Sequence, residues 1–208
     1  MTAAEWVPEN GDIEQLRQAA THCRGCELWE PATQVVFSAG NPKAPMMLVG
    51  EQPGDVEDQR GIPFVGPAGR LLQRALTEAE VAVADVYVTN AVKHFRFTLR
   101  GKRRIHATPQ LTHIKACRPW LEAELREVDP RLVVCLGATA AKSLLGPAFR
   151  LTQQRGQVLE LPTALGVRSA LATIHPSAVL RTQGGPEHEE AFAGLVSDLR
   201  TAARAAAG

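Results

Sequence analysis

The sequence predicts an α/β fold: a three-layer α-β-α sandwich around a central, mainly parallel four-stranded sheet. Short, continuously apolar runs alternate along the chain with stretches whose apolar residues fall at helical spacing. That alternation makes a parallel sheet covered by helices on both faces. The 208 residues, 45% hydrophobic and 22% charged, suit a single domain spanning the whole chain with a sizeable core.

Taken in order, Ile13–Ala20 reads as a short helix, followed by Cys23-Arg24-Gly25-Cys26. A CxxC pair serves equally as a redox couple, half a zinc site or half a cluster site. A thioredoxin-like pair follows a strand and opens a helix; this one follows a helix and precedes a loop. With Cys117 and Cys135 there are four soft donors, a set for zinc or an iron–sulfur cluster. Cys135, however, falls in the apolar run Leu132–Leu136, where it reads as a small core hydrophobe. Three cysteines and one open ligand position remain.

Ala32–Pro45 reads as a loop, broken by Gly40-Asn41-Pro42 and Pro45. Met46–Gly50 is the first parallel strand. The Gly- and Pro-rich stretch Gly50–Arg70 leaves it as a long loop, and a helix follows over Arg70–Glu80, with Leu72, Ala75, Leu76 and Ala79 at helical spacing. Ligands bind at the carboxyl ends of strands in open α/β sheets. This loop carries Glu51, Gln52, Asp55, Glu57, Asp58 and Phe64. Carboxylates beside an aromatic suit a site that stacks a flat ligand and does acid–base or electrostatic work. It is no nucleotide-binding glycine loop, since GxGxxG is absent and Pro53 removes a backbone donor.

Val86–Asn90 is the second strand and Leu132–Leu136 the third, with Gly137 opening a helix over Ala138–Leu145. Ala170–His175 is the fourth, and Val158–Leu161 reads as an edge strand. The last helix shows Phe192, Leu195, Val196 and Leu199 at helical spacing, and the Ala-rich end reads as its fraying terminus. Glu51, Asn90 and His175 thus each stand at the carboxyl end of a predicted parallel strand, and gather at one edge of the sheet.

Between the second strand and the helix around Cys117 lies Lys93–His106, KHFRFTLRGKRRIH, rich in Lys and Arg without an acid, with Phe95 and Phe97 interleaved. The formal net charge is only +1, so a nucleic-acid surface has to be a local patch. A loop this basic fits phosphate contacts. No run is long and apolar enough to span a membrane, and the N-terminus lacks a basic and apolar leader. A cytoplasmic protein without a membrane partner is expected.

The stretch Gly50–Gly69, GEQPGDVEDQRGIPFVGPAG, resembles the first motif of the family 4 uracil-DNA glycosylases, which hold an iron–sulfur cluster. His175-Pro176-Ser177 resembles the same family's HPS motif, and the likeness runs from Cys23 to about Arg181. Family 4 enzymes bind [4Fe–4S] through four cysteines, the third in a segment resembling NxVKC. Here that segment reads Asn90-Ala91-Val92-Lys93-His94, with histidine in the cysteine position. Histidine ligates cluster iron in Rieske centres. The resemblance therefore implies a [4Fe–4S] cluster on Cys23, Cys26, His94 and Cys117, with His22 and His113 as competing ligands. Lys102-Arg103-Arg104-Ile105-His106 departs from family 4 and resembles the inserted KRRIH loop of the UdgX branch. Members of that branch excise uracil and become covalently joined to the sugar through the loop's histidine.

The resemblance implies the uracil-DNA glycosylase superfamily fold and a set of roles. Phe64 would stack on uracil, with Gln52 and Asp55 in the same pocket. Asn90 would pair with the Watson–Crick edge, where O4 accepts and N3–H donates. His175 would bond O2, and Glu51 would stabilise the sugar's developing positive charge. His106 would be the nucleophile at C1′, and Lys102, Arg103, Arg104 and Arg181 would hold phosphates. The expected partner is uracil-containing DNA, single-stranded favoured, met by a monomer. Two other classes fit the same residues. One is a turnover glycosylase in which Glu51 directs water and His106 is a bystander. The other is a non-catalytic single-strand binder stacking bases on Phe95 or Phe97.

Overall fold

The computed structural model describes residues 2–161, 169–182 and 184–207. Its strands are β1 (Ser38–Gly40), β2 (Met46–Gly50), β3 (Val86–Asn90), β4 (Phe97–Arg100), β5 (Arg103–His106), β6 (Leu132–Leu136), β7 (Val158–Glu160) and β8 (Ser169–Thr173). The helices are α1 (Ile13–Ala20), α2 (Asp55–Arg60), α3 (Pro67–Glu78), α4 (Leu111–Val128), α5 (Ala138–Leu145), α6 (Leu151–Gln154), α7 (Pro176–Arg181) and α8 (Pro186–Ala207).

Six strands form the main sheet, in the order β1-β3-β2-β6-β8-β7. The four central ones, β3, β2, β6 and β8, are mutually parallel and are the four the sequence predicts. Antiparallel β1 and β7 flank them, so the expected four-stranded sheet is widened by two edge strands. β7 matches the edge strand read from Val158–Leu161, whereas β1 lies inside the stretch read as loop.

All five residues of β2 and of β6 are buried, as strands covered on both faces must be. One side of the sheet packs Leu16 of α1, Trp120 and Leu121 of α4, and Ala140 and Ala141 of α5. The other packs Leu72 and Leu76 of α3, Val179 of α7, and Leu195 and Leu199 of α8. Cys135 of β6 is fully buried in the first of these layers.

Strand register aligns the carboxyl ends. Gly50 pairs with Asn90, Val49 with Cys135, and Leu136 with Thr173. The chain therefore leaves β2, β3, β6 and β8 along one line, and Glu51, Asn90, Thr139 and His175 emerge beside one another.

Two further elements differ from the sequence reading. The Gly50–Arg70 stretch contains α2, and α3 begins at Pro67 rather than Arg70. Gly54 and Gly66 precede these two helices, and Pro67 occupies the first turn of α3, where its missing N–H costs nothing. The basic stretch is no loop but the β4–β5 hairpin, pairing Phe97 with His106 and Arg100 with Arg103. Its turn is Gly101-Lys102, and Gly101 takes φ 60°, the positive value such tight hairpin turns require.

Candidate active site

Two adjoining cavities open at the aligned strand ends. The first, about 500 Å³, is lined by Gln52, Asp55, Phe64, Asn90, His106 and His175, among others. The second, about 370 Å³, includes Glu51, Thr139 and Thr108. Gln52, His106, His175, Ser177 and Arg181 line both, so they form the wall between the two.

Phe64 has φ 56°, a left-handed conformation that costs a bulky residue energy. Two glycines hold it there. A Cβ at Gly69 would lie 1.6 Å from the Phe64 carbonyl oxygen, so α3 packs its bare backbone onto that peptide. A Cβ at Gly50 would lie 2.7 Å from the Phe64 ring and 2.2 Å from Asn90 Oδ1. Gly50 is thus the small floor that lets ring and amide share one pocket. Across it stands His175, with ring centroids 6.1 Å apart and planes inclined by 32°.

Asn90 is 2% exposed, and its Oδ1 is buried without a hydrogen-bond partner. A buried polar atom left unpaired costs about 1–3 kcal/mol. Below it, Lys93 is also buried and donates to the Asn90 carbonyl at 3.0 Å, to Thr89 Oγ1 and to Glu124. Tyr87 donates to the other Glu124 oxygen at 2.9 Å. This buried pair braces the end of β3 from beneath, and it removes Lys93 from the expected basic surface.

His175 caps α7. Its Nδ1 accepts the Ser177 backbone N–H at 3.1 Å and lies 2.8 Å from Ser177 Oγ. A backbone amide can only donate, so the ring proton sits on Nε2. Burial, reinforced by the neighbouring charges of His106 and Arg181, pushes this imidazole down to about 4. His175 is therefore a neutral ring that presents an Nε2–H donor.

Glu51 is held from one side. Its Oε2 accepts the Thr139 hydroxyl at 2.5 Å, and its Oε1 lies 3.6 Å from His106 Nε2. Thr139 was not singled out from sequence; its signal was its place two residues beyond Gly137, at the carboxyl end of β6. Gln52 lines both cavities, yet its side-chain amide is engaged by the hairpin. Its Nε2 donates to the Arg96 and Ala107 carbonyls at 3.1 Å each, and its Oε1 accepts the Arg96 N–H at 3.1 Å. The same Nε2 lies 2.9 Å from His106 Nε2. Gln52 thus clamps the hairpin base and seats His106 on the pocket wall, whereas the sequence reading gave it to uracil.

Arg104 differs from its reading as a phosphate contact. Its Nε donates to Asp55 Oδ1 at 2.6 Å and its Nη1 to Asp58 Oδ2 at 2.6 Å, with Thr33 Oγ1 at 3.1 Å. Its guanidinium also lies 5.1 Å from the Phe97 ring centroid. The residue is a latch between hairpin and α2, and Asp55, expected at uracil, is the latch's second carboxylate. Phe95 is 1% exposed, which removes it as a stacking platform. Lys102, Arg103 and Arg181 are exposed.

Among the described residues no three His, Cys, Asp or Glu side chains converge as ligands of one metal ion. The soft donors nonetheless neighbour one another: Cys23, Cys26 and Cys117 lie close enough for their charges to interact. Two of the sulfurs receive N–H donors, Trp120 Nε1 to Cys23 at 3.2 Å and the Lys93 amide to Cys117 at 3.3 Å. N–H donors to thiolate sulfur are the surroundings of iron–sulfur clusters. Burial pushes the Cys117 thiol up to about 12 and the His94 imidazole down to about 4. His94 is therefore neutral, with a lone pair free to ligate. His113 is engaged at both nitrogens, by Gln110 N at 3.0 Å and Glu27 at 2.7 Å, and His22 is exposed. The three neighbouring cysteines with their N–H donors fit the thiolate surroundings of a cluster, and His94 directly follows Lys93, whose amide meets Cys117.

Residues 37–200 match the family described as the uracil DNA glycosylase superfamily. A type-4 uracil-DNA glycosylase of Archaeoglobus fulgidus is 35% identical over 185 residues, covering 86% of this chain and 89% of that protein. That of Pyrobaculum aerophilum is 34% identical, covering 82% and 85%. That of Thermotoga maritima is 34% identical, covering 82% and 84%. With the superfamily match spanning most of the chain and the identities above, this chain belongs to the uracil-DNA glycosylase superfamily, as a relative of its type-4 members.

Proposed function

We propose that this protein excises uracil from DNA. The observation that carries the reading is the unpartnered Asn90 amide, buried between Phe64 and His175. Uracil offers an acceptor at O4 and a donor at N3, which one amide satisfies together; cytosine reverses the pattern. A base inside a duplex cannot reach this depth, so the nucleotide is extruded or already single-stranded. Phe64 stacks on the ring and the Nε2–H of His175 donates to O2. As the glycosidic bond breaks, its electron pair leaves with uracil, whose negative charge His175 stabilises. The positive charge left on the sugar faces the Glu51 carboxylate.

Two fates of the sugar are open to this geometry. In the first, a His106 ring nitrogen bonds C1′ and its proton passes to Glu51 or solvent, leaving a covalent protein–DNA adduct after a single turnover. The position of His106 Nε2, 3.6 Å from Glu51, supports it, because proximity favours the imidazole over water. In the second, Glu51 directs water to C1′ and the protein turns over; the relatives' description as type-4 glycosylases supports that. We favour the adduct. Cys23, Cys26, His94 and Cys117 would hold a [4Fe–4S] cluster, which supplies structural cross-linking of α1, α4 and the segment after β3. The protein acts as a monomer on single-stranded DNA.

The test is incubation with uracil-containing single strands, read by free uracil and by a denaturing gel. Uracil release with a heat- and SDS-stable shifted band is expected. Release without the band selects turnover, and neither result with intact protein rejects the glycosylase. Asn90→Asp, which cannot donate to O4 when ionised, should lose about fivefold to a hundredfold in uracil release, from the about 1–3 kcal/mol cost of an unpaired buried group. Cys26→Ala should lose iron while Cys135→Ala retains it.

A further inference from the structure

A third cavity, about 530 Å³, runs between the amino-terminal half of α4 and α5, outside the site described above. Its floor is apolar, formed by Leu111, Ile114, Leu144 and Pro147, and Leu111 is 63% exposed. Its charged lining residues are Lys115, Arg118 and Lys142, with no carboxylate among them. In a chain of net charge +1, a groove whose charged residues are all cations is a local concentration of positive potential. Arg118 is shared with Glu122 at 2.7 Å, whereas Lys115 and Lys142 are exposed and make no ion pair among the described residues.

The groove borders the second cavity at Thr139. Thr139, which holds Glu51, lines it as well as the second cavity. Ala91, the next residue after Asn90, and Pro109, three residues beyond His106, complete that end. The groove therefore starts at the same sheet edge as the pocket, within reach of a strand whose nucleotide enters it. Cations along an apolar floor suit single-stranded DNA, whose phosphates seek charge and whose unpaired bases seek apolar surface.

We propose that the α4–α5 groove binds the single-stranded DNA flank adjoining the nucleotide in the pocket, with Lys115 and Lys142 on its phosphates. This rests on the uracil-excision reading for what fills the pocket. The face is separate from the basic hairpin, so the protein grips the strand at two places.

The test uses the Glu51→Gln protein, in which chemistry is slowed, and uracil-containing single strands with short flanks or with one flank lengthened. Anisotropy should show lengthening on one side tightening binding on the order of tenfold at low salt. The double variant K115E/K142E should abolish that gain and lower the salt slope by about 1.4, two single-strand phosphates at about 0.7 each. K115R/K142R should keep it. Uracil release from short-flanked strands by the protein with native Glu51 should be unchanged by K115E/K142E. An unchanged gain in K115E/K142E, or a gain only when the flank is duplex, overturns the groove assignment. Absence of uracil release from the protein with native Glu51 overturns the glycosylase reading instead, and leaves the flank measurement readable.

Discussion

The Nε2 of His106 lies 3.6 Å from the Oε1 of Glu51, while the other oxygen of that carboxylate accepts the Thr139 hydroxyl at 2.5 Å. Thr139 therefore decides which oxygen faces the hairpin. A hydrogen bond to a charged group contributes about 1.5–3 kcal/mol. Thr139→Val keeps the shape and removes the donor, so uracil release should slow by about tenfold or more. Thr139→Ser should restore it. Equal rates in all three proteins would mean that Glu51 is oriented by something else.

The tautomer of His175 yields a pH prediction. The folded imidazole titrates at about 4, below the ordinary value of 6.5. The unfolded chain thus takes up this proton first as pH falls. His175's contribution is fully favourable above 6.5 and is lost progressively as pH drops toward about 4. Charging the folded ring would also put a proton on Nδ1, displacing the Ser177 amide. An NMR titration should find a neutral ring protonated at Nε2 below pH 6.5, and a midpoint near that value would contradict the assignment.

Arg104 carries a third. The Asp58 side chain is 0% exposed, and Arg104 is the cation it meets. Arg104→Ala would leave that carboxylate with only the Thr33 amide at 3.1 Å, and should destabilise the protein by about 2 kcal/mol, the scale of a lost hydrogen bond to a charged group. Thermal melting reads this. Adduct yield should fall further than uracil release, because the freed hairpin carries His106 but neither Asn90 nor Phe64. Arg104→Lys should not rescue, since a point ammonium cannot span Asp55 and Asp58 as the guanidinium does.

The site was legible in the sequence wherever a residue's role follows from its place on a parallel strand. Glu51, Asn90 and His175 could be gathered without coordinates because in-register parallel strands end together. Side-chain partnerships across long sequence separations were not legible. Arg104 and Asp58 are 46 residues apart, so a basic run read as phosphate contacts turned out to hold an internal ion pair. Thr139 belongs to no motif; its place beyond the carboxyl end of β6 was its one signal, and its contact with Glu51 shows its role. The β1 strand is three residues long and paired only to β3, too short for an alternation to show. In β4, Phe97 and Leu99 do alternate with Thr98 and Arg100, but the density of basic residues drew the stretch to a loop reading. Gln52 lines the pocket as the resemblance implied, but the engagement of its amide with Arg96 and Ala107, 44 and 55 residues away, was not legible.

The last prediction concerns His106 itself. Its side chain is 49% exposed, so it is reachable by a sugar at the rim of the pocket, and Gln52 and Phe97 fix it at the hairpin base. Once uracil has left, C1′ is strongly electrophilic, and a held imidazole competes with water by effective concentration. The resulting C–N bond has no leaving route without protonation and a new nucleophile, so the adduct should persist through SDS and heat. His106→Ala removes the nucleophile yet touches neither the stacking ring, the Asn90 amide nor Glu51. It should abolish the shifted band, keep uracil release within about tenfold of the parent, and leave abasic sites cleavable by alkali. Glu51→Gln should instead slow release and adduct together, since both follow bond cleavage. Peptide mass spectra should place the sugar on His106; an unmodified His106 in the adduct, or a band that survives in His106→Ala, would sink the nucleophile assignment while leaving the uracil pocket in place.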